Sequence, residues 1–120
     1  MQRAVFKYLR LLLLLVCGMA AGYAFAADDS LILLRGRCAT LTDNADHRQA
    51  LRVASKLRRE ARTRGDRLNE AYGLYYEGVS DILLGNADNG KEKLDQALLL
   101  AREVENDTIL HYIYNAMGIY

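Results

Sequence analysis

The chain has 120 residues, of which 52% are apolar and 26% charged, and its formal net charge is +1. This balance argues against an intrinsically disordered chain, and the absence of proline argues against collagen-like and proline-rich classes. Two cysteines exclude a disulfide-rich mini-protein. A proline-free chain rich in Leu, Ala, Arg and Glu favours helices.

Residues 1–26 contain the three parts of a secretory signal peptide. A basic start (Arg3, Lys7, Arg10) precedes an apolar run from Leu11 to Val16, and Ala24-Phe25-Ala26 supplies a small-residue cleavage site. We expect cleavage after Ala26 and a periplasmic or secreted location. The alternative is an uncleaved leader that holds the chain at a membrane. Because the leader carries three basic and no acidic residues, the remainder has a net charge of −2.

Apolar residues recur at helical spacing through the rest of the chain and predict five helices, at residues 29–41, 45–64, 67–84, 88–104 and 108–120. No segment alternates strictly, so strands are not predicted. Each helix has one apolar stripe that is expected to face inward. The stripes are Leu31, Leu34, Cys38 and Leu41 in the first helix; Ala50, Ala54, Leu57 and Ala61 in the second; Leu68, Ala71, Tyr75, Val79 and Ile82 in the third; Leu94, Ala97, Leu98 and Ala101 in the fourth; and Ile109, Tyr112, Ile113, Ala116 and Tyr120 in the fifth.

Short polar or glycine-containing turns separate these helices. Gly65-Asp66 is typical of a helix end followed by a helix start, Gly85-Asn86 is expected to end the third helix, and Asp107 or Thr108 is expected to cap the fifth helix. Connections of two to four residues make consecutive helices antiparallel neighbours. The sequence therefore predicts an all-α fold of antiparallel helical hairpins.

Several residues repeat at a spacing of 40: Gly78 with Gly118, Tyr72 with Tyr112, and Leu57 with Ala97. The runs at 97–103 and 115–120, with Asp107 between them, resemble a tetratricopeptide repeat (TPR) of the longer, MalT-like variety. The resemblance implies repeat-packing roles, at close helix crossings and turns, for Gly78, Gly85, Leu94, Ala97 and Gly118.

The resemblance covers about residues 67–120 and implies a TPR-like α-α superhelix of about two hairpins plus the first helix of a third. Glu77 and Asp81 depart from it, because the motif has an apolar residue and a large aromatic there. We expect a signal peptide at 1–26, a helical hairpin at 27–66 and a truncated TPR-like region at 67–120. The alternative is an unrelated antiparallel bundle.

No motif indicates catalysis. The chain lacks a G-x-S-x-G elbow, a Walker loop and a G-x-G-x-x-G run, and His47 and His111 do not have zinc-ligand spacing. We therefore expect no enzymatic activity, no cofactor and no metal. Cys38 is the only cysteine after the leader, either as a small buried side chain or as a site of intermolecular pairing.

Six of the eight tyrosines lie in the third and fifth predicted helices. The first helix of each TPR lines a concave groove, so the resemblance implies groove positions for Tyr72, Tyr75, Tyr112 and Asn115, with Val79, Ile82 and Ile119 beside them. Tyrosine offers contact area at low entropy cost together with a hydroxyl, which suits peptide recognition. The alternative for these residues, above all for Tyr75, is core packing.

Charge is segregated along the chain, with a net charge of +6 over residues 35–67 and −6 over residues 70–120. The second helix carries a basic stripe of Arg48, Arg52, Lys56 and Arg59. The stripe fits a solvated helix face, a nucleic-acid site, or a surface that docks on the acidic half of another copy. An exported protein is not expected to meet nucleic acid.

These features together predict an exported module that binds a protein or peptide, as in the sensory N-terminal part of a bacterial signal-transduction protein. The alternative is a structural, self-associating helical protein. A third hypothesis is a basic-helix nucleic-acid binder. A membrane partner is expected only if the leader is not cleaved.

Overall fold

The computed structural model describes residues 4–5, 7–10 and 30–118. Contacts divide the chain into two units, Met1–Ser30 and Leu31–Tyr120. In the first unit, residues 4–5 and 7–10 are helical and exposed. The predicted apolar run of the leader, the cleavage site after Ala26, and Ile119 and Tyr120 lie outside the described residues. No helix in the described part of the chain has both the length and the hydropathy needed to cross a membrane.

The second unit consists of helices, and its described residues contain no strand. Its helices are α1 (residues 31–43 of this unit), α2 (His47–Arg64), α3 (Arg67–Leu83), α4 (Ala87–Glu103) and α5 (Asp107–Met117). The predicted all-α fold of helical hairpins is confirmed; α2, α3 and α4 begin and end within two residues of the predicted bounds, and α1 ends within two residues of its predicted end. Residues on both sides of position 66 belong to one unit.

Each turn between helices is built in the same way, at intervals of 20 residues. A residue with positive φ ends each helix: Ala45, Gly65, Gly85 and Glu105. The next residue donates its N–H to the carbonyl five positions back, for example from Asp66 to Ala61 at 2.9 Å. That same residue, Asp46, Asp66, Asn86 or Asn106, is the N-cap of the following helix. The cap of α5 is thus Asn106, which accepts from the Ile109 N–H, and the prediction of Asp107 or Thr108 is wrong.

The buried faces of α2 and α4 repeat 40 residues apart. The buried residues of α2 are Ala50, Ala54, Leu57 and Ala61, and those of α4 are Gly90, Leu94, Ala97 and Ala101. Equivalent helices therefore present small or apolar residues at the same positions to the core. The repeating unit is a helical hairpin of 40 residues.

Helix α3 is the centre of the packing, since it contacts α2, α4 and α5. The main core cluster joins Leu57 of α2, Ala97 of α4 and Ile113 of α5 to α3, and α1 adds Leu31, Leu34 and Cys38. The predicted stripe of α2 is fully buried. Tyr112, predicted on the inward stripe of α5, is instead 42% exposed.

Glycines allow α3 to approach both of its hairpin neighbours closely. A Cβ atom on Gly73 would lie 2.7 Å from the backbone nitrogen of Arg58 in α2, and one on Gly78 would lie 2.9 Å from the carbonyl oxygen of Gly90 in α4. Gly78 and Gly90 thus pack backbone to backbone, with Leu94 beside them, and Ala97 is fully buried further along α4. Gly118 differs, because only Asn115 and Tyr114 of its own helix lie within 4 Å among the described residues.

A buried ionic cluster joins the same three helices. Glu77 of α3 is fully buried, and its Oε1 accepts a hydrogen bond from Nε of Arg58 at 2.6 Å. The Lys93 ammonium of α4 lies 3.0 Å from Oε2 of Glu77 and 3.0 Å from Oδ2 of Asp81. Among the described residues those two carboxylate oxygens have no partner with hydrogen-bond geometry, so the ammonium neutralises them as an ion pair. Burial lowers the pKa of Lys93, but the contacts with Glu77 and Asp81 outweigh it and raise the pKa overall.

The substitution Gly78→Ala is expected to lower the free energy of unfolding by about 1–3 kcal/mol, because the new methyl group meets the Gly90 backbone. This loss should appear although alanine raises helix propensity by up to ~1 kcal/mol. Gly36 of α1 is the matched control: it is exposed, and no atom of the described residues lies within 4 Å of the place that a methyl group would take, so Gly36→Ala should stabilise the protein. Urea denaturation followed by circular dichroism measures both. An equal gain in both variants would contradict a close crossing at Gly78.

Candidate binding groove

Three helices contribute to one groove, which we call the tyrosine groove. Its volume is about 280 Å³, and it is lined by Ala39, Thr42 and Asp43 of α1, Tyr75 and Tyr76 of α3, and Tyr112 of α5. These helices are the first members of successive hairpins. Equivalent helices of adjacent repeats thus share a surface, which is how helical-repeat proteins build extended binding faces.

The tyrosine rings form a continuous series across this surface. Tyr75 packs edge-on against Tyr76, with ring centroids 4.9 Å apart, and stacks with Tyr112 at 6.0 Å. The Tyr76 ring also stacks with Tyr72 at 6.5 Å. Tyr75 and Tyr76 are half-buried, whereas Tyr112 is exposed. The rings therefore run from the interior of α3 to the solvent-facing side of α5.

An arginine of the chain itself covers one end of this series of tyrosine rings. Tyr72 is buried, and the Arg35 guanidinium of α1 lies 4.4 Å above its ring centroid. Arg35 also donates a hydrogen bond from Nη1 to Oδ1 of Asn69, at 3.3 Å. Asn69 is itself held by Asp66, which accepts from its side chain at 2.7 Å. Tyr72, expected in the groove, therefore lies beneath Arg35 and does not line the cavity.

The remaining expected groove residues fall in different places. Tyr75 and Tyr112 line the cavity together. Asn115 is exposed on α5, its Nδ2 lies 3.1 Å from Nε2 of His111, and it is not among the residues that line the cavity. Val79 is buried in a small cluster with Leu94 and Ala116, against which Ile82 also packs, so these two side chains belong to the core. Ile119 lies outside the described residues.

Four further residues complete the groove and were not among the residues expected there: Ala39, Thr42, Asp43 and Tyr76. Asp43 and Thr42 are in α1, which matches the repeat motif only as part of a hairpin. Asp43 is the last residue of its helix and is exposed. The signal that could have indicated it is the 40-residue repeat, which makes α1 the equivalent of α3 and α5.

The charged residue that lines the groove is Asp43, and the tyrosines beside it have raised pKa values. Burial raises the pKa of Tyr75, and the neighbouring Tyr112, Asp43 and Tyr72 raise it further. Burial likewise raises the pKa of Tyr76, with a contribution from Tyr75. No cation of the described residues contributes to either shift. The groove thus combines aromatic faces with one carboxylate.

A second concavity, of about 160 Å³, lies on the side of α3 that faces α2 and α4. Its lining includes Arg58, Glu77 and Lys93, together with Leu74, Asn89, Glu92 and Gln96. The charges of Arg58, Glu77 and Lys93 are already paired with one another or with Asp81. This concavity therefore surrounds a structural ion cluster, and the tyrosine groove is the better candidate for ligand binding.

Cys38 of α1 is a free cysteine and is fully buried. Its surroundings are the packed core, and burial raises the pKa of its thiol from 9.0 to about 12. A buried thiol of high pKa is unreactive at neutral pH. Among the described residues, no group of three or more His, Cys, Asp or Glu side chains is placed to hold a metal ion.

The basic stripe of α2 is exposed at Arg48, Arg52, Lys56 and Arg59, whereas Arg58 turns inward to Glu77. On α4, Asp88, Glu92 and Asp95 are exposed. The opposite charges in the sequence therefore appear on the solvent-facing sides of two equivalent helices.

No family model, curated protein or solved structure matches the chain.

The raised pKa of Cys38 predicts a loss of stability in alkali. The folded protein retains the thiol proton up to about pH 12, whereas the unfolded chain releases it near pH 9.0. Stability is therefore full below pH 9 and falls as pH rises, by about 1 kcal/mol between pH 9 and pH 10. Urea denaturation in reducing buffer measures the slope. In Cys38→Ala the loss of stability over this interval should be smaller by about 1 kcal/mol, and the loss that remains comes from Tyr75, Tyr76 and Lys93, whose pKa values are also raised; an unchanged slope would assign the whole effect to these other groups.

Proposed function

We propose that this chain is an exported, tetratricopeptide-repeat-like module that binds a protein or peptide segment in the tyrosine groove. The observation that carries the proposal is that equivalent helices of three successive hairpins line one cavity, with Tyr75, Tyr76 and Tyr112 at its surface. Tyrosine side chains supply large contact area with few rotatable bonds, so they lose little entropy when a partner binds. The signal-peptide pattern at 1–26 supports export.

A sensory role is the physiological setting that we propose for this binding. In that role the segment captured in the groove is a periplasmic signal, and the module is the N-terminal part of a signal-transduction protein. The support is the resemblance to MalT-like repeats together with the leader pattern. The binding proposal does not depend on this setting.

Two exposed tyrosines of α5 allow a matched test. Tyr112 lines the groove, whereas Tyr114 lies outside it and accepts a hydrogen bond from Nη2 of Arg102 in α4 at 3.1 Å. Random peptides displayed on phage are selected against the chain and then tested against each variant. We expect selected peptides to lose binding to Tyr112→Ala and to retain binding to Tyr114→Ala. The proposal that the groove binds peptides would be contradicted if no peptide were enriched, or if the selected peptides bound Tyr112→Ala as tightly as the unsubstituted chain.

The opposite charges of α2 and α4 favour self-association as a second candidate function. The basic face of α2 in one copy would dock on the acidic face of α4 in the next, which is a head-to-tail contact. Sedimentation velocity should then give a molar mass that falls towards the monomer as salt rises from about 0.05 to 0.5 M, because the Debye length shortens. Arg52→Glu should reduce association at low salt. A mass that does not depend on salt would exclude this contact.

A further inference from the structure

The tyrosine groove has a chemical composition that selects among side chains. Its charged lining residue is Asp43, its walls are the rings of Tyr75, Tyr76 and Tyr112, and no basic residue of the described part of the chain lines it. Aromatic faces carry a negative quadrupole and attract cations, most strongly where water is partly displaced. A carboxylate beside such rings adds a direct charge partner. We infer that the tyrosine groove binds the basic side chain, lysine or arginine, of its peptide partner.

This inference rests on the proposed function, since it names the chemistry of the segment that the groove receives. The size of the cavity agrees with a single side chain. Its volume of about 280 Å³ lies just below the range of roughly 300–1,000 Å³ that is usual for small-molecule pockets. An apolar side chain in the same place would displace water from Asp43 without giving the carboxylate a partner, and such burial is unfavourable. An acidic side chain would be repelled.

The chain itself provides an example of the interaction. Arg35 lies over the Tyr72 ring, which is the next ring in the series beyond Tyr76. Arg35 is kept there by Asn69 and lies eight residues before Asp43 on α1, or about 12 Å along the helix axis. The Tyr72 ring is therefore covered by a cation of the chain itself. The rings beside Asp43 have no basic residue among the described residues that line the groove.

The place of Asp43 on its helix strengthens the negative field. Asp43 is the last residue of α1, where the helix dipole already presents partial negative charge. An acidic residue is unfavourable at a helix C-terminus, so replacing it by asparagine should not destabilise the fold.

The test uses two small probes, one with and one without the terminal ammonium group of lysine. The full chain, labelled with ¹³C in its tyrosine rings, is titrated with N-acetyl-lysine methylamide and with the neutral N-acetyl-norleucine methylamide, followed by NMR. The lysine probe should shift the ring signals of Tyr75 and Tyr112, and the norleucine probe should bind at least about twofold more weakly. Equal binding of both probes, or no shift with either, would overturn the inference.

Two pairs of variants test the named groups. Asp43→Asn should weaken the lysine probe by about two- to fivefold, while Asp46→Asn should have no effect, because it changes the same charge three residues away and asparagine still caps α2. Tyr112→Phe keeps the ring and should retain binding, whereas Tyr112→Leu should lose about two- to fivefold. Circular dichroism verifies folding. Equal affinities within either pair would contradict a cation site.

The outcomes also separate this inference from the proposed function. If selected peptides require Tyr112 but bind equally well with lysine replaced by norleucine, the groove binds peptides and the basic-side-chain inference is wrong. If the lysine probe binds in an Asp43-dependent manner and no peptide is enriched, the cation site is supported and the proposal of peptide binding is wrong. Selected peptides with a common lysine or arginine, dependent on Asp43, would support both.

Discussion

The fully buried carboxylate of Glu77 sets the arrangement of the central helices. Moving an ion out of water costs several kcal/mol, and the cost is offset only by close, well-placed partners. The two oxygens of Glu77 are paired with opposite neighbours: Arg58 of α2 donates a hydrogen bond to Oε1, and the Lys93 ammonium of α4 forms an ion pair with Oε2. The helices on both sides of α3 must therefore keep one register for both pairs to form. This register fixes the rotation of α3 and hence the face on which its tyrosines are exposed.

The hairpin fold does not itself require these charges. Forty residues after Arg58 and Glu77, the equivalent positions hold Leu98 and Met117, which pack against the main apolar core. Apolar replacements of a buried ion pair are often as stable as the pair or more so. The ion pairs of Glu77 add geometric specificity to the packing, because a carboxylate oxygen accepts a charged partner over a narrow range of positions. The close crossings at Gly73 and Gly78 then hold the helices at the short separation that the pairs need.

The sequence predicted the helices and their hairpin order well, because small and apolar residues keep helical spacing and the turns repeat one local chemistry. It predicted the centre of α3 poorly. Glu77 and Asp81 are departures from the repeat motif, and their partners lie on other helices, Arg58 being 19 residues away. For the groove, the repeat resemblance led to Tyr75 and Tyr112, but Asp43 required knowledge that α1 occupies an equivalent place. The covering of Tyr72 by Arg35 is likewise a contact between helices that no local pattern encodes.

The helices that line the groove differ in how extensively they pack on the rest of the fold. Tyr75 and Tyr76 project from α3, whose other sides are held by the ion cluster and by glycine crossings, so these rings need little ordering when a ligand binds. Tyr112 belongs to α5, a helix of 11 residues that packs less extensively on its neighbours over the described residues. A ligand that reaches from Asp43 to Tyr112 would link α1 and α5 across α3. Part of its binding free energy would then come from Tyr112 on α5, while the rings of α3 supply a wall that needs little rearrangement.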